Sequence, residues 1–341
     1  MSQSELARRM GRPVKTINEI VHAKAAVTPE TALQLEFVLG IPASLWVNLD
    51  GSYRRHLAQH ETLKAFAGRA DWLKKFPIKD LARHGFVDRN GPTEKQVSQL
   101  LSFFGTASPE VLEERWGRPL AQYRKSASYE GSELSRAAWL RWGELVAEGM
   151  DLKPVDARGL STVASRLPRL SRIAPLQAAL DEARSNLGDV GVALVLLPEF
   201  DGTRLSGATR WLPRGVAVVQ LSLRHKTDDH LWFSCMHEIG HILDRPRHNF
   251  VDAVEAPPSD YVDSEAECRA NEFARDALVS STALQAFVDR GRLDAQSLRS
   301  FAEEVDVSPG IIVGRLQHDG VIPPNRHNSL KRTVEFNDSG S

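Results

Sequence analysis

Apolar and polar residues recur along this chain with two different periods. From residue 1 to about residue 60, the apolar positions have the spacing of short, closely packed helices. From about residue 61 to residue 152, amphipathic stretches are separated by Pro and Gly, for example at Asn90-Gly91-Pro92. The second stretch therefore predicts a helical connector, with helices at residues 96–104, 109–116 and 132–149.

The third stretch, residues 153–325, contains a segment with the pattern of β-strands. Residues 191–197 and 215–221 are apolar runs rich in β-branched residues, and the more polar residues 203–211 between them predict a strand at the edge of a sheet. Helical patterns follow at residues 229–243, 264–288, 295–304 and 310–318, and the polar residues 326–341 predict a tail. The expected fold is mainly α with a small β-sheet, in the α+β class.

The composition is that of a globular protein, since 42% of the 341 residues are hydrophobic and 26% are charged. No run approaches the roughly 18 apolar residues of a membrane span, and charged residues among the first thirty argue against a secretory signal. The two cysteines, Cys235 and Cys268, are too few for a disulfide framework and fit a reducing compartment. A net charge of -1 argues against wholesale coating of nucleic acid, although a local basic patch could bind it. We therefore expect a cytoplasmic protein with no membrane partner.

The segment His237-Glu238-Ile-Gly-His241 is a His-Glu-x-x-His motif within a helical pattern. Residues four apart on a helix lie about 40° apart around its axis, so the two histidines can bind one ion from one face. Glu238 projects beside them, where a carboxylate can take a proton from metal-bound water whose pKa the ion lowers toward about 7. The alternative is a helix with two unconnected histidines. Apolar neighbours such as Trp232 and Ile239 disfavour it, because they would bury the helix and buried histidines need partners.

A catalytic zinc ion needs a third protein ligand and an open fourth position. The nearest downstream source is the helical pattern of residues 264–274, where small residues flank Glu267 on one face and would let two helices approach closely. Asn271, one turn later, can accept a hydrogen bond from the ring N–H of a ligating histidine. Glu265 and Glu272 point away from this face, and we expect them on the solvated surface.

The sequence HEIGH followed by E-x-x-A-N-x-F-A resembles the ImmA/IrrE family of gluzincin-like metallopeptidases. The resemblance implies that His237, His241 and Glu267 bind zinc and that Glu238 is the general base of peptide hydrolysis. It also implies that residues 206–211 belong to a strand beside the cleft, where a peptide substrate could add as a further strand. Residues 308–318 resemble the closing helix of that family.

Several other residues near the motif are predicted to lie outside the ligand set. Cys235 and Cys268 are each within two positions of a proposed ligand, and such neighbours point roughly 100° to 200° away on a helix. We expect them to be core or redox residues. His318 could stabilise an oxyanion if the closing helix reaches the cleft, with a capping or packing role as the alternative. Three further histidines are expected on the surface: His225, His230 and His248.

Residues 3–22 have the pattern of a helix-turn-helix. Ala7 is small where two helices would cross, Gly11 can adopt a positive φ at the turn, and Pro13 suits the start of the second helix. The expected miniature core consists of Leu6, Val14, Ile17 and Ile20. The basic face could contact phosphates, and base edges would be contacted by Lys15, Thr16, Asn18 and Glu19. The alternative is a generic three-helix packing unit.

The segments Asn18-Glu-Ile, Leu39-Gly-Ile-Pro42 and Trp46-Val-Asn-Leu49 resemble HigA-type antitoxin regulators of the Xre helix-turn-helix class. Domains of that class carry a helix before the motif, whereas this chain begins at the motif's first turn, so that helix is expected to be missing. Either translation starts here or the start lies upstream. The connector is also similar to that of HigA-like proteins fused to an ImmA/IrrE domain.

The two resemblances together imply a helix-turn-helix domain (1–60), a helical connector (61–152), a zincin-like metallopeptidase domain (153–325) and a polar tail (326–341). Such a protein would bind DNA, hold one Zn²⁺ ion or another divalent ion, and cleave a protein partner such as a transcriptional repressor. The competing hypothesis is a toxin-antitoxin type regulator whose zinc domain only binds or senses. A third is an enzyme that has lost DNA binding. Half-site symmetry leads us to expect a homodimer.

Overall fold

The computed structural model of the protein describes residues 1–117, 133–222, 226–244, 250–253 and 264–334. It is mostly helical with one small mixed β-sheet, which confirms the predicted α+β class. The chain forms two compact units, Met1–Leu73 with Asn90–Gln99, and Lys74–Arg89 with Leu100–Ser341. Among the described helices, none has both the length and the apolar character needed to cross a bilayer.

The first unit begins with the predicted helix-turn-helix. Gly11 has a φ of +64° between the first two helices, and Ala7 and Ile17 are buried between them with Met10 and Leu35. Val14, however, is 47% exposed, so its predicted place in the core is wrong. It is the first residue of its helix, where its side chain points to solvent. The helices of this unit are Gln3–Met10, Val14–Val21, Pro29–Leu39, Ala43–Phe66 and Ala70–Leu73.

The second unit carries the sheet and most of the helices. The helix Thr93–Phe104 has residues in both units. The π-helical turn Glu113–Gly117 continues the short helix Pro109–Leu112, so the predicted helix 109–116 is not a regular α-helix. The other α-helices are Ile78–Arg83, Glu133–Glu148, Ala157–Ala164, Leu167–Leu170, Leu176–Asp189, Asp228–Asp244, Ser264–Leu278, Ser281–Asp289, Ala295–Glu304 and Pro309–His318.

The sheet has four strands, β1 (Val192–Leu196), β2 (Leu205–Trp211), β3 (Ala217–Leu221) and β4 (Phe250–Ala253), in the order β1-β3-β2-β4. β1 is parallel to β3, whereas β2 is antiparallel to both β3 and β4. The prediction of an edge strand at residues 203–211 is therefore wrong, because β4 pairs with the outer side of β2. The four residues of β4 are too few to display an alternating pattern in the sequence.

The predicted long helix at residues 264–288 is two helices, Ser264–Leu278 and Ser281–Asp289. Ser280 has a non-helical backbone between them, with a ψ of 129°, and the backbone N–H of Ser281 donates to Oδ1 of Asp276. A side-chain acceptor near a helix start of this kind favours a new helix over a continuous one. The apolar period continues through the break, which is why the pattern alone indicated one helix.

The helix Asp228–Asp244 lies within the apolar core between the sheet and the helix Pro309–His318. Residues predicted as a polar tail also take part in this core, because Leu330 and Val334 are buried. Arg332 donates from its backbone N–H and its Nε to the carboxylate of Asp228, at 2.9 and 3.0 Å. This stretch therefore ties the C-terminal segment to the start of the helix that carries the His-Glu-x-x-His motif.

Candidate metal centre

The His-Glu-x-x-His motif lies in the middle of the helix Asp228–Asp244, which we call the motif helix. His237, Glu238 and His241 are buried, with relative exposures of 2%, 0% and 1%. Apolar residues of the motif helix, such as Trp232 and Ile239, pack into the core around them, as the sequence predicts. Since buried imidazole and carboxylate groups are costly without partners, the chemistry of this helix depends on what its polar side chains contact.

The helix Ser264–Leu278, which we call the glutamate helix, packs against the motif helix at small residues. A Cβ added to Gly240 would lie 3.2 Å from Cα of Ala270 and 3.5 Å from its Cβ. A larger residue at this crossing would force the helices apart. The close approach is what brings Glu267 to the two histidines, in agreement with the small-residue face predicted for residues 264–274.

One ligand atom from each of His237, His241 and Glu267 lies within 4.8 Å of the other two. The two Nε2 atoms of the histidines are 3.0 Å apart, and the Glu267 carboxylate lies 3.2 Å from Nε2 of His237 and 3.3 Å from Nε2 of His241. Nδ1 of His237 donates to Oδ1 of Asn271 at 3.1 Å, so its Nε2 carries the lone pair when the ring is neutral. The structure thus brings together the three predicted ligands and Asn271.

The charge of the cluster fits a cation. Burial disfavours ionisation of Glu267, but hydrogen bonds from His237 and His241 outweigh this effect and lower the pKa of Glu267 to about 2. An ionised carboxylate therefore faces two imidazole nitrogens, and all three groups can offer a lone pair to one cation. Two histidines and one glutamate are also the protein donor set of many catalytic metal sites. These three residues could hold a metal ion.

Glu238 is fully buried between the motif helix and β2. The hydroxyl of Thr209 donates to Oε2 of Glu238 at 2.7 Å and lies 3.1 Å from its main-chain oxygen. Thr209 is itself fully buried on β2, so its hydroxyl has few ways to turn elsewhere. The hydrogen bond holds the carboxylate of Glu238 in one orientation, on the side of the motif helix that faces β2.

Gly207 provides the space for that carboxylate. A Cβ at this position would lie 2.5 Å from Oε1 of Glu238 and 3.0 Å from its Cγ, closer than packing permits. The sequence predicted a strand here but no specific role for Gly207 or Thr209. The available signal was the glycine itself, because glycine inside a strand often marks the close approach of another group.

The other candidates lie outside the cluster. Cys235 is buried, and burial together with the charge of Glu238 raises the pKa of its thiol to about 12, while Cys268 is exposed. Nε2 of His318 lies 2.7 Å from Nη2 of Arg275, in a packing contact rather than in the ligand group. As predicted, three further residues are exposed: Glu265, Glu272 and His230. The other two histidines, His225 and His248, lie outside the described residues.

The residues predicted to contact DNA lie in the first unit, on the helix Val14–Val21. Lys15 and Asn18 are exposed, and Thr16 and Glu19 are partly exposed. Nζ of Lys15 lies 3.9 Å from Oε1 of Glu19, an ion pair that bound phosphate could replace. The four side chains are accessible on one helix, and DNA binding stays a prediction.

No protein-family model matches this chain, and no curated protein matches it.

Proposed function

We propose that the second unit is a zinc-dependent endopeptidase that cleaves a protein partner such as a transcriptional repressor. The observation that carries this proposal is the convergence of His237, His241 and Glu267, with Glu238 adjacent to His237 in the chain and held by Thr209. Two imidazoles and a carboxylate are the ligands of zinc in peptidases that leave a fourth position for water. The same residues carry the resemblance of the motif to the ImmA/IrrE family, which implies this activity.

When bound, zinc supplies a Lewis acid that polarises the scissile carbonyl and lowers the pKa of the attacking water. The protein supplies proton transfer. Glu238 takes one proton from the attacking water as the C–O bond forms, and it delivers that proton to the leaving amine as the C–N bond breaks. Its fixed orientation matters because a general base must stay within hydrogen-bond reach of the proton that it moves.

We further propose that the first unit binds DNA, which would make the protein a cytoplasmic regulator and, by half-site symmetry, a homodimer. The support is the helix-turn-helix with Gly11 at its turn and the accessible residues Lys15 and Asn18 on its second helix. A gel shift with a DNA sequence selected from a random pool, repeated at several salt concentrations, tests this proposal. Lys15→Ala should reduce the salt slope by about one if Lys15 contacts a phosphate, and unchanged binding and slope would exclude that contact.

One observation favours the alternative, a regulator whose zinc domain only binds or senses. β2 is paired on both sides, by β3 and by β4, so a peptide cannot add to β2 as a further strand in this arrangement. In a peptidase, the substrate would therefore pair with the outer side of β4 or bind without strand addition.

Glu238→Gln separates the two functions. Both functions predict that the wild type and the variant each hold one zinc per chain. Metal analysis of protein purified without chelator measures this content. Only the peptidase predicts that the wild type cleaves members of a proteome-derived peptide library and that Glu238→Gln abolishes the cleavage. Glu272→Gln, at an exposed position of the glutamate helix, is the matched control and should remain active. A wild type with bound zinc and no cleavage in the library supports the sensing function, and a wild type without zinc excludes both.

A further inference from the structure

A cavity of about 160 Å³ opens one helical turn from the candidate metal centre. Phe233 lines it from the motif helix, four residues before His237, and the two rings are 6.2 Å apart between centroids. Arg275 and Leu278 line it from the glutamate helix, beyond Asn271. The cavity is therefore lined by residues of the two helices that also carry the proposed metal ligands.

Part of the wall of the cavity is apolar. Phe233, Leu278, Val279 and Ile311 contribute to its wall, and the last three of these are buried. An apolar cavity of roughly 150 Å³ in another protein takes up benzene, so this volume suits a side chain the size of leucine or phenylalanine. A side chain bound here would contact Phe233, which lies one helical turn before His237.

The cavity also has an uncompensated positive charge at Arg275. Its Nη2 contacts the imidazole of His318, its Nε is buried without a hydrogen-bond partner, and no carboxylate of the described chain forms an ion pair with it. The other charges lining the cavity are paired, Arg315 with Asp319 at 2.7 Å and Asp229 with Lys331 at 2.7 Å. A half-buried guanidinium beside an apolar wall is suited to bind a carboxylate.

We propose that this cavity selects the peptide substrate by binding an apolar side chain while Arg275 binds a carboxylate of the same peptide. The inference rests on the proposed peptidase function and names its substrate class. The carboxylate belongs either to a neighbouring acidic side chain or to the C-terminus of the peptide. Both sources present the same two oxygens to the guanidinium.

The test measures binding rather than turnover, with zinc-loaded Glu238→Gln protein and fluorescent peptides derived from one cleaved sequence. One series replaces the apolar residue next to the cleaved bond by Ala or Asp. A second replaces the neighbouring Glu by Gln, and a third replaces the C-terminal acid by an amide. We expect about tenfold weaker binding when the apolar side chain is removed. We also expect about tenfold weaker binding in one of the other two series, and that series identifies the carboxylate that Arg275 binds.

Arg275→Gln in the same background should lose about tenfold affinity for the acidic peptide and none for its neutral counterpart, because the variant has lost the partner of that carboxylate. Arg299→Gln, at an exposed position, is the control and should bind both peptides like the parent. Ile311→Phe fills the cavity and should weaken binding of the apolar peptides alone. If Arg275→Gln weakens both peptides equally, or if the apolar residue has no effect, the proposal is wrong.

The failure of this inference is distinguishable from failure of the proposed function. If wild-type protein cleaves peptides without regard to apolar or acidic residues, the peptidase stands and the selectivity of the cavity is excluded. If no library peptide is cleaved, the three series of fluorescent peptides are instead derived from the library sequence that the zinc-loaded protein binds most tightly. The same dependence on Arg275 and the apolar residue then supports the cavity as a peptide-binding site and supports the sensing function over the peptidase.

Discussion

The hydroxyl of Thr209 on β2 donates a 2.7 Å hydrogen bond to Oε2 of Glu238 on the motif helix, with both residues fully buried. Glu238 directly follows the candidate ligand His237 in the chain, and the hydrogen bond from Thr209 orients its side chain from the sheet. The contact couples the sheet to the candidate metal centre without involving any proposed ligand.

Thr209→Val should lower kcat by roughly 10- to 100-fold and leave KM nearly unchanged, because a hydrogen bond to a charged group contributes about 1.5–3 kcal/mol. The volume of the side chain is kept, so the loss arises from the missing donor. The measurement is the kinetics of cleavage of the best library peptide, with metal content determined on the same sample.

Thr209→Ser is the conservative control, since it keeps the donor, and it should recover most of the activity. Both variants should hold one zinc per chain, because Thr209 does not contact the ligands. If Thr209→Val and Thr209→Ser are equally impaired, packing of the methyl group rather than the hydrogen bond determines the effect, and the positioning role is excluded.

Gly207→Ala should reduce activity by about 100-fold with zinc still bound. The added Cβ would lie 2.5 Å from Oε1 of Glu238, so the carboxylate must leave the position in which Thr209 holds it. A base displaced by about 1 Å can lose two orders of magnitude in rate. Gly188→Ala is the matched control, because its Cβ meets only Leu152 at 3.4 Å. Full activity in Gly207→Ala would mean that Glu238 can act from another orientation.

The parts of the site that follow a helical repeat could be predicted from the sequence, and the contacts between elements could not. His237 and His241 share a face because they are four residues apart, and Ala270 marks the face of the glutamate helix that packs closely. Gly207 and Thr209 contact Glu238 but lie 31 and 29 residues before it in the sequence. A helical or strand repeat cannot reveal a contact between residues so far apart. β4 was missed for a related reason, since its position is defined by pairing with β2.

Asn271→Ala should weaken zinc affinity by about 10- to 100-fold while the fold is kept. Oδ1 of Asn271 accepts the Nδ1–H of His237 at 3.1 Å, which holds the ring with Nε2 toward the other ligands. Loss of a hydrogen-bond partner behind a metal ligand typically has an effect of this size. Competition with a chromophoric chelator measures the affinity, with Glu272→Gln as the control on the same helix. Unchanged affinity in Asn271→Ala would show that packing alone orients His237.

The two cysteines should differ sharply in reactivity in the native protein. Burial raises the pKa of Cys235 to about 12, so at pH 8 its reactive thiolate is scarce as well as inaccessible, whereas Cys268 is exposed. A thiol reagent should modify one cysteine per native chain and two in denaturant. The Cys268→Ser variant should have no modified cysteine in the native state. Rapid modification of Cys235 in folded protein would contradict its buried position.

The contact between Arg332 and Asp228 should contribute substantially to the stability of the second unit. Asp228 is fully buried in the first turn of the motif helix, and its carboxylate accepts hydrogen bonds from Arg332 and from the hydroxyl of Ser308. The guanidinium of Arg332 also donates to the main-chain oxygen of Ile173 at 2.7 Å. Arg332→Ala would leave a buried carboxylate without its cation, which typically lowers the free energy of unfolding by about 3–5 kcal/mol.

Urea unfolding followed by circular dichroism measures this loss. Arg326→Ala, at an exposed position of the same segment, is the control and should change the free energy of unfolding by less than about 0.5 kcal/mol. Asp228→Asn combined with Arg332→Ala should recover part of the loss, because the neutral amide no longer needs a cation. If Arg332→Ala lowers the free energy of unfolding no more than Arg326→Ala, the contact between Arg332 and Asp228 does not stabilise the second unit.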